Sequence, residues 1–301
     1  MKEIILNLYN NLSSSEKDLF CNTIDTLGNK HSVRYENNFF ECSYHFLREE
    51  ISFLNLNFYG KSTPRSVELN LRRIRFECIK NVIKNFNKNL RSKFSLKFAE
   101  LLFYLSEEAL WPIQFGFDLD ENGGRIKLYL SFAGDKGRVV INNMIKLIDE
   151  IGLDYDKMIS AFCQENFDAL GIDLNKDGGC SLKLYTLFDV PCNWREILRN
   201  NGLFLTRNRE SIDSYIAWIN RFKLKQIGFL YRISKESEIE SVKIWSRLSN
   251  PYFLKSEMCC SGIYAVNAHE WFNRASILSN TFGVKASYFV LEDNKPGIYF
   301  R

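Results

Sequence analysis

Residues 115–132 read FGFDLDENGGRIKLYLSF, and residues 170–188 read LGIDLNKDGGCSLKLYTLF. In both stretches an apolar run containing a glycine ends at an aspartate. A polar turn with a glycine pair follows, Gly123-Gly124 or Gly178-Gly179, and then a second run, RIKLYL or SLKLYT. A glycine pair supplies the positive φ that tight hairpin turns need. Both stretches therefore read as β-hairpins.

The second arm alternates with the period of a strand. Ile126, Leu128 and Leu130 share one face, and Arg125, Lys127, Tyr129 and Ser131 the other; in the second copy Leu182 and Leu184 oppose Ser181, Lys183 and Tyr185. One Lys-x-Tyr on a strand reads as an ordinary solvated face. The same pair on the same arm of two matching hairpins reads as chemistry. If the sheet closes into a barrel with its apolar face covered by helices, cations and phenols ring a polar cavity.

The pattern extends in both directions. Residues 227–248, IGFLYRISKESEIESVKIWSRL, form a third version with Lys243-x-Trp245, and residues 286–301, ASYFVLEDNKPGIYFR, form a last hairpin turning at 293–297. Towards the N-terminus, 51–59 alternates as a strand, GKSTP is a turn, and 65–73 reads as the return strand of a first hairpin. Helical periodicity marks 2–12, a capped segment from Ser13 to Leu27, 34–48, 76–90, 94–108, 140–152, 154–166, 194–199, 212–222 and 264–281. Hairpins thus begin near 51, 115, 170, 227 and 286, the last three intervals being 55, 57 and 59 residues. An α-α-β-β unit repeated five times predicts ten antiparallel strands, which close without exposed edges and leave the helices outside. Five prolines and no low-complexity segment mark no linker, so residues 1–301 read as a single domain of the α+β class.

Composition narrows the rest. A net charge of +4 with no dense Lys/Arg run argues against nucleic acid as a partner. Eight cysteines contain no C-x-x-C and three histidines are scattered, which argues against a zinc site and for free thiols in a reducing cytoplasm. The N-terminal stretch lacks the apolar core of a signal peptide, and no run approaches the ~18 apolar residues of a membrane span. Aspartates in DLDENGG and DLNKDGG read as turn residues rather than as the metal cluster of a DDxxD motif.

Five ααββ units with Lys-x-Tyr on barrel strands resemble the ABBA prenyltransferases. The size, the FGFDL and LGIDL hairpin starts and the compact N-terminal region look most like the cyanobactin peptide prenyltransferase family. The resemblance implies a monomeric cytoplasmic enzyme that moves a dimethylallyl or geranyl group from its diphosphate to a nucleophilic side chain of a ribosomal peptide. It implies Lys127, Lys183, Lys243, Arg125 and Arg65 at the diphosphate, and Tyr129, Tyr185, Tyr231, Tyr288 and Tyr299 as a shield around the allyl cation. Trp245 departs from the tyrosine expected at its position. The resemblance also implies a carboxylate that activates the acceptor, for which Glu50 is the candidate and Glu49 and Glu68 compete. The prenyl diphosphate is a co-substrate, which magnesium can accompany without a dedicated protein site. A free aromatic molecule is the alternative acceptor. A non-catalytic barrel holding an apolar ligand is the alternative of a different class, and it has no use for paired lysines on the polar face.

Overall fold

The computed structural model describes residues 18, 21, 22, 25, 37–45, 50–58, 63–86, 96–110, 112–119, 125–132, 136–161, 168–175, 179–189, 226–234, 236–247, 286–292 and 295–300. The helices expected at 2–12, 194–199, 212–222 and 264–281, and most of the segment from Ser13 to Leu27, lie outside these residues.

Ten strands are present: β1 Asn37–His45, β2 Glu50–Phe58, β3 Gln114–Leu119, β4 Arg125–Ser131, β5 Ala169–Asn175, β6 Cys180–Asp189, β7 Gln226–Ile233, β8 Ile239–Arg247, β9 Ala286–Glu292 and β10 Lys295–Phe300. Their hydrogen-bonded order is β1-β10-β9-β8-β7-β6-β5-β4-β3-β2. The ladders from β3 to β6, from β8 to β9, and from β9 through β10 to β1 are antiparallel. Among the described residues four helices have assigned bounds: α1 Arg65–Phe86, α2 Leu96–Glu108, α3 Lys136–Glu150 and α4 Tyr155–Ala161. The hairpins expected near 115, 170, 227 and 286 are all present, the last with its second strand starting at Lys295 inside the expected turn.

The first hairpin differs from the sequence reading. Its arms are β1 and β2, so 34–48 holds a strand rather than a helix, and Arg65–Arg73 is not a return strand but the start of α1. The alternation of Val67, Leu69 and Leu71 misleads there. Val67 is exposed, and the buried set Leu71, Arg72, Arg75, Phe76, Ile79, Val82 and Ile83 follows helical spacing without a break. Pro64 precedes the first helical residue, and its carbonyl accepts the first bond, from the Glu68 N–H at 3.0 Å. Two buried arginines dock this helix. The Arg72 guanidinium donates to the Ser106 and Leu110 carbonyls, and Arg75 Nε donates to the Ile113 carbonyl at 2.7 Å, so α1 holds the segment that leads into β3.

The expected stop at Gly152 is present. Gly152 takes φ +80° after α3, its N–H bonds the Asp149 carbonyl at 2.9 Å, and the Leu153 N–H reaches back to Ile148 at 3.0 Å. These are the two bonds of a Schellman cap, and only glycine adopts that φ without strain.

The chain divides into two compact units. The first comprises residues 1–40, 52–186 and 230–241, the second 41–51, 187–229 and 242–301, so the borders fall inside β1, β2, β6, β7 and β8. In the first unit α2 packs against α1 and α3. Its core takes one face of the β3–β6 ladder, where Phe115, Ile126, Leu128, Leu170, Ile172, Leu182 and Leu184 are all about fully buried. The burial of β4 alternates residue by residue, as its sequence predicts. The opposite face carries the polar side chains. In the second unit β1, β10, β9 and β8 form a continuous ladder. Among the described residues, no helix is long and apolar enough to cross a membrane.

Candidate active site

The polar face of β4, β5 and β6 is set by register. Lys127 stands opposite Gly116 on one side and Asp173 on the other; Tyr129 stands opposite Gln114 and Gly171; Lys183 stands opposite Gly171. In both hairpins the lysine therefore faces the glycine of its own first strand, which leaves its stem room.

Gly171 has a second use. A Cβ there would lie 3.0 Å from Cε1 of Tyr129 and 3.1 Å from Cε2 of Tyr185. The two rings close over this glycine edge to face, with centroids 5.8 Å apart and planes at 73°. That geometry suits aromatic quadrupoles and fixes both rings on the polar face.

Beside them lies a charge cluster. Asp173 is fully buried, with Lys183 Nζ 2.5 Å and an Arg125 Nη 3.4 Å from the same carboxylate oxygen. Lys183 is itself only 4% exposed. Both contacts fall on the same carboxylate oxygen. Burial works against both charges. It pulls Lys183 down to about 7, with Lys127, Arg125 and Arg232 pushing the same way and only Asp173 opposing. Burial would raise Asp173, but Lys183, Arg125 and Lys127 outweigh it and hold the carboxyl low. Three cations thus bear on one carboxylate and a fourth, Arg232, on Lys183, an excess of positive charge suited to a polyanion.

Two members of this cluster were not singled out in the sequence. Asp173 was read as a turn residue, but it sits inside β5. Arg232 follows Gly228 and Leu230 on the polar face of β7, and its Nε is buried without a hydrogen-bond partner. Counting by twos from Gly228 finds it. The same count corrects Tyr231, expected in the cation shield: it shares the apolar face with Ile227, Phe229 and Ile233 and is 1% exposed.

The remaining expected residues are distributed as follows. Arg65, expected at the diphosphate, begins α1, half exposed, and bonds Glu68 at 2.8 Å and the Glu107 carbonyl at 2.8 Å. Glu68 is committed to Arg72 and Arg65; burial raises its carboxyl, and those two partners bring it below the usual range. Glu50 is the first residue of β2, its side chain outside the described set, as is all of Glu49. In the second unit Lys243 alternates with buried Ile244, shares a face with Trp245, and stands opposite Glu292. Trp245 lies across Gly228, where a Cβ would fall 2.1 Å from Cε2 of the indole. Tyr288 and Tyr299 stand opposite each other on β9 and β10. Among the described residues no group of His, Cys, Asp and Glu has the makings of a metal site.

No protein-family model matches the chain, and no curated relative matches it. Solved structures do. A 6-dimethylallyltryptophan synthase from Micromonospora olivasterospora, in complex with DMASPP and Trp, superposes with a TM-score of 0.68 at 9% identity, covering 98% of this chain and 93% of that one. A 5-dimethylallyltryptophan synthase from Streptomyces coelicolor gives 0.65 at 12%, covering 97% and 93%. NotF, in complex with brevianamide F and DMSPP, gives 0.62 at 14%, covering 99% and 90%. The ladders, the helices and these superpositions agree on one conclusion: this chain has the fold of the ABBA-type prenyltransferases.

Proposed function

We propose that this chain is a prenyltransferase that moves a dimethylallyl or geranyl group from its diphosphate to a nucleophilic side chain of a ribosomal peptide. The observation that carries the reading is the polar face of β4–β6, where a cation cluster lies beside a pair of stacked tyrosines. Arg125, Lys127, Lys183 and Arg232 bind the diphosphate, whose charge grows as the C–O bond breaks. Tyr129 and Tyr185 offer ring faces to the allyl cation, stabilising it while presenting no strong nucleophile. Arg125 and Arg232 supply the guanidinium charge that was expected of Arg65. Lys243 serves the same anion, and Tyr288 and Tyr299 extend the shield. Glu50 accepts the proton that the acceptor releases as it attacks.

A closed barrel of ten strands, one domain over residues 1–301, is the architecture this chemistry needs, because water would quench the cation. It is supported by the strand order, whose two ends, β1 and β2, are consecutive in the chain, and by unit borders that fall inside strands rather than in linkers. Magnesium can accompany the diphosphate, held by its oxygens and water.

The second reading keeps the donor and changes the acceptor to a free aromatic molecule. The solved synthase complex with Trp favours it. Incubation with dimethylallyl and geranyl diphosphate, against cyclic and linear peptides and free tryptophan, separates the two by which acceptor gains the mass of the prenyl group. No mass gain on any acceptor, together with no binding of diphosphate, overturns both. Retention of an apolar ligand would then point to the non-catalytic barrel, against which the burial of Lys183 already counts.

A further inference from the structure

A fully buried carboxylate in the middle of a diphosphate site is at first sight misplaced, since it repels the ligand the cations are there to bind. We propose that Asp173 is an internal counter-ion: it keeps Lys183 charged and aimed across the sheet while the site is empty, and yields it to the incoming diphosphate. The inference rests on the diphosphate reading above and adds a positioning residue to it.

Three observations carry it. Asp173 is placed by register, directly opposite Lys127 on β4 and two residue pairs along from Lys183 on β6, on the same face. Its carboxylate lies within ionic distance of Lys183 and Arg125, both on the same oxygen, so Arg125 remains beside it when the lysine turns away. Among the described residues the other charges that bear most on Lys183, Lys127 and Arg125 on β4 and Arg232 on β7, are positive. Without Asp173 the cations Lys127, Arg125 and Arg232 would act on the buried ammonium without its opposition, and the proton would be lost below the value of about 7 that it has beside the carboxylate. Diphosphate would then meet a neutral amine and would have to draw a proton from solvent to restore the charge.

The test is calorimetric titration of the full chain with inorganic pyrophosphate, from about pH 6 to about pH 9, in two buffers of different ionisation enthalpy, which reports affinity and proton uptake together. For the wild type, affinity falls as pH rises past about 7, and binding takes up a fraction of a proton there. Asp173→Asn moves that fall by about one pH unit or more towards acid and raises proton uptake at neutral pH. At the acid end the variant binds tighter than the wild type, because the repelling carboxylate is gone, so the two curves cross. Asp173→Glu restores the wild-type profile. Parallel curves for wild type and Asp173→Asn overturn the inference, since a merely structural role lowers affinity equally at all pH. The wild type and Lys183→Met test it independently of whether Asp173→Asn folds. Pyrophosphate binding that is flat with pH in the wild type, or proton uptake undiminished in Lys183→Met, overturns the counter-ion while leaving the diphosphate site standing. No binding of pyrophosphate by the wild type at any pH overturns the diphosphate reading, and the counter-ion with it.

Discussion

The β5–β6 and β7–β8 hairpins descend from the same sequence pattern and do different things with it. Each places a glycine under an aromatic ring: Gly171 beneath Tyr129 and Tyr185, Gly228 beneath Trp245. Two residues further on they part. β5 has Asp173 on its polar face, and β7 has Leu230. The lysines follow suit. Lys183 is buried against a carboxylate on the neighbouring arm of its own hairpin, whereas Lys243 stands opposite Glu292 of the next one. The glycine and ring are thus the constant part of the repeat, a packing device that holds an aromatic flat against the sheet. The charge partner is the variable part and decides which hairpin carries a buried, tunable cation.

The widest test of this division lies outside both hairpins. If β4–β6 handles only the donor, Glu50→Gln on β2 lowers turnover by about 10²–10⁴ through lost general-base action while pyrophosphate binding stays near normal. A comparable loss of donor binding in Glu50→Gln would break the separation of donor and acceptor roles. Next comes the pair of lysines. Lys183→Ala strips Asp173 of its nearest partner but leaves it Arg125 at 3.4 Å, so it should cost less than the about 3–5 kcal/mol of a buried charge left without any mate. It should also weaken pyrophosphate by roughly tenfold to a hundredfold. Lys243→Ala, removing a half-buried lysine, should cost much less in denaturant unfolding; equal losses would mean that the two hairpins are not distinguished by Asp173.

The glycines come third. Gly228→Ala drives a methyl into the indole at 2.1 Å, and Gly171→Ala meets tyrosine rings at 3.0–3.1 Å that have a few tenths of an ångström to give. Both should destabilise, within the ~1–3 kcal/mol typical of overpacking, with Gly228→Ala the worse of the two. The reverse ranking in thermal unfolding would show that the ring over Gly228 moves more freely than those over Gly171.

The most gradual effect is the pH dependence of stability. Lys183 has a folded value of about 7, depressed by burial below its unfolded value of 10.5. Between these limits the unfolded chain holds a proton that the folded chain has released, so stability rises with pH, on the order of a kcal/mol per pH unit at most. Lys183→Met removes that rise, and Lys243→Met leaves it. An unchanged slope in Lys183→Met would assign the titration to another group.

What the amino-acid sequence determined by itself is the repeat and the faces of its later strands. Period-two alternation is local and strict, so Lys127, Tyr129, Lys183 and Tyr185 could be put on one face without knowing what covers the other. The same rule, applied from Gly228, reaches Arg232 and rejects Tyr231. Local pattern failed where two periods fit the same residues. Val67, Leu69 and Leu71 alternate like a strand, and only the continuous buried stripe from Leu71 to Ile83 shows the helix that displaced the first hairpin and took Arg65 with it. Asp173 lay beyond any local rule. An aspartate near a polar turn looks the same in sequence whether it caps the turn or lies in the strand before it. Its charge is perturbed only because β4 and β6 bring Arg125, Lys127 and Lys183 against it, from 48, 46 and 10 residues away along the chain. Burial and mutual charge are properties of the assembled sheet, and the tertiary structure alone could turn a turn residue into the counter-ion of a lysine.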